Sequence, residues 1–259
     1  MLAVERHRLI IEELHRQGAV RVRELTELLD VSEMTIRRDL DALASAGVLD
    51  KVHGGATRRG MLATDEPGFE AKSEQQLREK EAIARQAAKL VEPGQSIGLT
   101  AGTTTWRLAH HVAHVPDLTV VTNSIKVANV FHREPQPGVT VILTGGVRTP
   151  SDALVGPVAV DAIRALHLDV LFMGAHGVTE DAGLTTPNMV EAEANRALVE
   201  AASRRVAVAD HTKWGIRGLS RFARLGELDV FVTDAGLDPE GQARIAEHVD
   251  KVLVAPVRG

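Results

Sequence analysis

Cysteine and tyrosine are absent from the 259 residues, and only five phenylalanines and two tryptophans occur. Without cysteine there is no disulfide framework and no thiolate metal site. With so few rings the core is aliphatic, and stacking unpaired bases on aromatic side chains is not an available mode of nucleic-acid binding. No apolar run approaches the length of a membrane span. The chain turns charged at Glu5 with no leader-like apolar stretch, so a cytoplasmic location without membrane contact is expected. An excess of one charge is lacking too: 30 Lys+Arg against 35 Asp+Glu leave −5, which says little about partners. What remains has the apolar and charged fractions of an ordinary globular protein. Its length suits a small module followed by a larger core, and no internal repeat is visible.

The richest stretch is Ser32-Glu33-Met34-Thr35-Ile36-Arg37-Arg38-Asp39-Leu40. Ser32 is a helix-start residue, because its hydroxyl can accept from a backbone N–H two or three positions on. Ile36, Leu40 and Leu43 recur at helical spacing and mark a buried stripe. Met34, Arg38, Asp41 and Ser45 then point away from it, with Thr35 and Arg37 on the flanks. A small hydroxyl and two guanidinium groups thus face outward from the first turns, as phosphate contact and bidentate reading of guanine require. A solvated helix face would carry the same residues, so the context decides. Upstream, Val4, His7, Ile10, Ile11 and Leu14 trace one amphipathic helix, and Val22, Leu25, Leu28 and Leu29 a shorter one. Asp30-Val31 supplies a tight turn before Ser32. This is the helix-turn-helix order, whose last helix enters the major groove. Downstream, Val48–His53 reads as a strand and Gly54-Gly55 as a hairpin signal, a β wing. Lys51, His53, Arg58 and Arg59 are placed there to meet phosphates.

Arg6, Ile10, Leu14, Ser32, Thr35-Ile36-Arg37-Arg38-Asp39-Leu40 and His53-Gly54-Gly55-Ala56 resemble the winged helix-turn-helix of the DeoR family of bacterial transcriptional regulators. The resemblance implies a sequence-specific binder of double-stranded operator DNA, usually a repressor of a sugar-catabolic operon. Charge alone would not nominate this module. In residues 1–60, Arg6, Arg8, Arg16, Arg21, Arg23, Arg37, Arg38, Lys51, Arg58 and Arg59 are matched by ten acidic residues. One domain would grip weakly at physiological salt, so a homo-oligomer, dimer or tetramer, on paired half-sites is expected.

Residues 59–76 lack clear periodicity and read as a connection between a 1–58 winged domain and a 77–259 domain. In the latter, seven short apolar runs (96–100, 118–122, 139–144, 168–174, 205–210, 229–233 and 251–255) alternate with helical stretches. These predict a mostly parallel, doubly wound α/β sheet covered on both faces. Ligands bind such sheets at the carboxyl ends of the strands. There, Thr100, Gly102, Thr103 and Thr104 precede a helix start and suit a phosphate, although Thr as a plain helix cap explains part of the pattern. Thr122 and Asn123, Thr144-Gly145-Gly146, and Gly174-Ala175-His176-Gly177 end other strands. Lys213, just past Asp210, can reach inward to a phosphate or sugar oxygen.

These strand ends, with Glu191-Ala192-Glu193 and Asp210-His211-Thr212-Lys213-Trp214-Gly215, resemble the sensor domain of the same family, related to ribose-5-phosphate isomerase and glucosamine-6-phosphate deaminase. The resemblance implies a phosphorylated sugar as effector, bound by Thr100, Gly102, Thr103, Thr104, Thr122, Asn123, Gly145, Gly146, His176 and Lys213. Thr100 stands where many members have an acidic residue, His176 where Asp or Asn is common, and Lys72 where Arg is usual.

No cofactor and no metal are expected. His110 and His114 share a helix face but have no third ligand nearby in sequence. Glu191 and Glu193 read either as an acid–base pair or as acidic residues favoured by a helix dipole. Trp106 and Trp214 fit a pocket rim or plain core. An isomerase or deaminase with a DNA-binding appendage is the competing class, but a recognition helix has no use in catalysis.

Overall fold

The computed structural model describes residues 2–17, 19–52, 54–58, 68–133 and 135–257. They belong to two compact units, Met1–Asp65 and Glu66–Gly259.

The first unit runs α1 (Ala3–Gln17), β1 (Ala19–Arg21), α2 (Val22–Leu29), α3 (Glu33–Ser45), β2 (Leu49–Val52) and β3 (Gly55–Arg58). Ile10 and Leu14 of α1, Leu25 and Leu29 of α2, and Ile36, Leu40 and Leu43 of α3 close one aliphatic core. Asp30 turns the chain between α2 and α3 in the left-handed conformation (φ 50°), which Asp tolerates better than most residues. Helix α3 starts where the sequence places it, the Ser32 hydroxyl accepting from the Thr35 N–H at 3.2 Å. It stops at Gly47 (φ 72°), past which the Val48 N–H reaches back to the Leu43 carbonyl at 2.9 Å, a Schellman ending.

The wing is a three-stranded sheet of order β1-β3-β2 rather than a lone hairpin. Gly55, expected in the turn, already belongs to β3, opposite Val52 and Arg21. A Cβ there would lie 2.1 Å from the Val20 carbonyl oxygen, so the close approach of β1 is what requires glycine.

The second unit opens with α4 (Phe69–Ser73), α5 (Leu77–Ala88), β4 (Ser96–Leu99), α6 (Thr103–Val112), β5 (Thr119–Thr122), α7 (Ile125–Arg133) and β6 (Thr140–Leu143). It continues through β7 (Val147–Arg148), β8 (Leu154–Val155), α8 (Pro157–Arg164), β9 (Leu168–Met173), β10 (Gly177–Thr179), β11 (Gly183–Thr186) and α9 (Met189–Ala201). β12 (Ala202–Val208), β13 (Ser220–Ala223), β14 (Val230–Asp234), α10 (Pro239–Ala246) and β15 (Lys251–Ala255) complete it. Part of the stretch read as connection is therefore helical (α4) and lies in this unit. Strand β12 begins at Ala202, where the sequence predicts helix to Ser203.

Seven strands form one parallel sheet of order β15-β14-β12-β9-β4-β5-β6. Along β9, Val170 and Phe172 join the layer of α5, α6 and α7, while Leu171 and Met173 join that of α8, α9 and α10. Alternate side chains point to opposite faces, so a strand buried on both sides is apolar at every position. The chain enters the sheet at β4, adds β5 and β6 on one side, then returns to place β9 on the other. The strand order thus reverses between β4 and β9, which opens a crevice at their carboxyl ends.

Candidate functional site

The outward face of α3 is built as the wheel requires. Met34 is 61% exposed, and Arg37 and Arg38 are exposed as well. Arg37 pairs with Glu33 of its own helix at 3.3 Å, and Arg38 has no ion pair among the described residues. Thr35 shares its hydroxyl with Ser32 (2.9 Å), and Lys51 of β2 is paired with Asp41. His53 and the side chain of Arg58 lie outside the described residues, as does Arg59. Asp39 is withdrawn from this face. It is buried against α1, where Arg6 donates to it at 2.7 and 3.1 Å and His7 meets it at 3.0 Å. Burial alone would raise its carboxyl, but these partners outweigh burial and hold it below the usual carboxylate range. One acidic charge is thereby removed from the face that carries the arginines, which the equal count of charges could not reveal.

In the second unit a cleft of about 710 Å³, its open mouth included, lies at the reversal between β4 and β9. Gly102, Thr103 and Thr104 line it where β4 runs into α6, Gly174, Ala175 and His176 where β9 ends, and Asp210 and Lys213 past β12. The start of α6 has no side-chain cap, because its N-cap residue is Gly102, and Thr105 turns its hydroxyl back to the Thr100 and Gly102 carbonyls. Its first N–H groups are left to the cleft, an anion-favouring arrangement. Gly102 itself has extended backbone (φ 162°). Asp210 accepts from the Thr212 N–H (3.1 Å) and hydroxyl, and this cap makes the turn that brings Lys213 to the cleft.

Two further lysines line the cleft, Lys72 and Lys80. Lys80 is 2% exposed, and its ammonium donates to the Lys72 carbonyl at 2.6 Å and the Gln75 carbonyl at 2.7 Å. Burial lowers its pKa to about 8, with Asp210 opposing and Lys213, Arg107 and Lys72 adding to the depression. For Asp210, burial raises the carboxyl but Lys213, Lys80 and the Thr212 hydroxyl more than reverse it, so it stays ionised. Burial also pushes His176 down to about 3, helped by Lys72 and Lys213, which leaves a neutral imidazole. Three lysines outnumber the two carboxylates of the lining, Asp210 and Glu191, and with the uncapped helix end they give the site a net positive potential.

Of the residues expected to hold the effector, Gly102, Thr103, Thr104, His176 and Lys213 line this cleft. Thr100, Thr122, Asn123, Gly145 and Gly146 do not. The Thr100 hydroxyl accepts from the Gly174 N–H (3.2 Å), Thr122 donates to the Leu99 carbonyl (2.7 Å), and the Asn123 side-chain oxygen accepts from the Ala101 N–H (2.8 Å). All three are buried and hold the strand ends in place behind the cleft. Gly145 and Gly146, both at positive φ, turn the chain out of β6, and a Cβ on Gly146 would lie 2.4 Å from the Val155 carbonyl oxygen. Lys80, Ser151 and Asn195 also line the cleft, and no strand-end or helix-start pattern in the sequence marks them.

Glu191 faces the cleft while Glu193 is exposed, so the two do not form a pair. Trp106 meets Phe69 edge-on at 5.8 Å and His110 at 5.0 Å, and Phe69 in turn lines the cleft. Trp214 packs against the core layer of α8, α9 and α10. His111 pairs with Glu81 at 2.8 Å. Among the described residues the one group of three potential metal ligands is Glu180, Glu247 and His248, all exposed. No helix among the described residues is long and apolar enough to cross a membrane.

Comparison with known proteins covers both units. Residues 6–59 match the DeoR-like helix-turn-helix domain, and residues 75–235 match the DeoR C-terminal sensor domain. The uncharacterized HTH-type transcriptional regulator YgbI of Escherichia coli K12 is 38% identical over 255 residues, 98% of each chain. A putative aga operon transcriptional repressor of Escherichia coli O157:H7 is 33% identical over 235 residues, 90% of this chain and 87% of its own. Among solved structures, a D-ribose-5-phosphate isomerase in complex with phospho-erythronic acid aligns over 52% of each chain at 16% identity with a TM-score of 0.39, too remote to argue from.

Proposed function

The chain belongs to the DeoR family of transcriptional regulators, and we propose that it represses a sugar or sugar-derivative operon under control of a phosphorylated sugar held in the cleft. It is a regulator rather than an isomerase or deaminase with an appended DNA-binding module. In this reading Ser32, Met34, Thr35, Arg37 and Arg38 meet the operator from α3, and Lys51, His53 and Arg58 from the wing. Gly102, Thr103, Thr104, His176 and Lys213 receive the effector, with Thr100, Thr122, Asn123, Gly145 and Gly146 shaping the strand ends around it. The protein acts as a homo-oligomer on paired half-sites.

The observation that carries the effector reading is the gathering of Lys72, Lys80 and Lys213 beside an uncapped helix end at the strand-order reversal. A relative whose name is that of an operon repressor supports the sense of regulation. The test begins with operator fragments selected from random DNA by the full chain. Arg38→Ala should weaken the selected site by about 1–3 kcal/mol while leaving the fold intact. Lys213→Ala should leave operator affinity unchanged and blunt the release caused by whichever sugar phosphate raises the melting temperature. A chain that selects no sequence, or a Lys213→Ala variant that responds normally, would overturn the respective half.

A further inference from the structure

The cationic groups of the cleft account for an anion and leave other lining groups without a role. Asn195, on α9, lines the cleft at 4% exposure. Its side-chain oxygen is buried with no hydrogen-bond partner among the described residues. Buried polar atoms nearly always have partners, so an exception at a ligand cleft calls for a donor on the occupant. Glu191, one turn earlier on the same helix face, also lines the cleft, and one carboxylate oxygen accepts from the Ser151 hydroxyl at 2.9 Å. That hydroxyl is itself bonded to Thr149 at 2.8 Å.

We infer that the cleft has a second recognition end, formed by Asn195 with Glu191 and Ser151, which reads the hydroxyl groups of a neutral carbon chain. The inference rests on the proposal that the lysine end takes a phosphate. An amide oxygen and a carboxylate are acceptors, so what they bind must donate. An ester's phosphate dianion or a carboxylate offers no such donor, inorganic phosphate carries its P–OH on the anion itself, and all of them are repelled by Glu191. A bare anion would therefore fill the lysine end and leave the Asn195 oxygen unpaired. A polyhydroxylated chain bearing one phosphate satisfies both ends, and Asn195 is the residue that separates it from inorganic phosphate.

The experiment titrates the full chain with inorganic phosphate, glycerol 3-phosphate, ribose 5-phosphate, fructose 1-phosphate and glucose 6-phosphate, in the wild type, Asn195→Leu and Asn195→Asp. At least one sugar phosphate should bind the wild type about tenfold or more tighter than inorganic phosphate. Asn195→Leu, close in size, should abolish that advantage and change phosphate affinity by less than about twofold. Its unliganded melting temperature should stay the same or rise, because an unpaired buried oxygen is removed; a structural role would lower it. Asn195→Asp keeps an acceptor and should keep the preference ratio. If no probe binds the wild type, the phosphate reading falls and takes this inference with it. If phosphate binds as tightly as every ester, or Asn195→Leu keeps the preference, only the hydroxyl-reading end is refuted.

Discussion

A buried ammonium is costly to fold, and Lys80 shows what such a cost does to the pH response. Its folded pKa of about 8 lies below the 10.5 of a free lysine. Between those values the unfolded chain still holds a proton that the folded chain has given up. Stability gained from neutralising Lys80 therefore increases as pH rises through that window, and the burial cost stands in full below it. Asp210, Lys213, Arg107 and Lys72 are the charged groups that set this balance. Lys80→Met removes the titration, although it also strands the Lys72 and Gln75 carbonyls. That second effect does not depend on pH. The difference in urea midpoint between wild type and Lys80→Met should thus shift in favour of the wild type from pH 8 to pH 10. A pH-independent difference would mean that the lysine is not held in its low-pKa state.

Among the elements, α3 depends on α1 for its placement, through the contacts of Arg6 and His7 with Asp39. Asp39→Ala should cost about 1–3 kcal/mol of stability in the N-terminal unit, read by chemical denaturation. Because its folded pKa is depressed, that contribution is present above the ordinary carboxylate pKa and is lost as pH falls through the folded value. The variant should accordingly show a weaker acid-induced loss. The order of helices around this pin was legible in the sequence, since caps and an apolar stripe at helical spacing are local signals. The seven strands of the large sheet were legible too, because each carries a short apolar run, which burial on both faces imposes on the inner strands and which the more exposed edge strands β6 and β15 share. The hairpin of β7 and β8 and the small sheet of β10, β11 and β13 were not; strands of two to four residues are too short to show a period. Helix α4, with five residues, is missed for the same reason. Lys80 is hidden because Arg78-Glu79-Lys80-Glu81 has the composition of a solvated face, and only the fold shows which charge turns inward. Asn195 is hidden likewise, since a polar residue in a helix does not announce an unpaired oxygen. At the strand ends, pattern found where the ligand chemistry gathers but could not separate the residues facing the cleft from Thr100, Thr122 and Asn123 behind it.

At the scale of the whole molecule, the electroneutral N-terminal module sets the terms. The salt dependence of DNA binding counts the phosphates neutralised, with a slope of about −0.9 per contact on logarithmic axes. If two modules bind together, the slope on a paired site should be about twice that on an isolated half-site, measured by titration at several salt concentrations. Equal slopes would mean that one module makes all the contacts. The second consequence concerns the link between the two units, and it needs no assumption about how they are arranged. If a sugar phosphate lowers operator affinity by some factor, saturating operator must lower sugar-phosphate affinity by the same factor, because both describe one coupling free energy. Calorimetric titration of the effector into free chain and into operator-bound chain measures the second factor directly. An effector that binds both forms equally, yet still releases the operator in a separate assay, would violate that cycle and place the released species at a different site or assembly state.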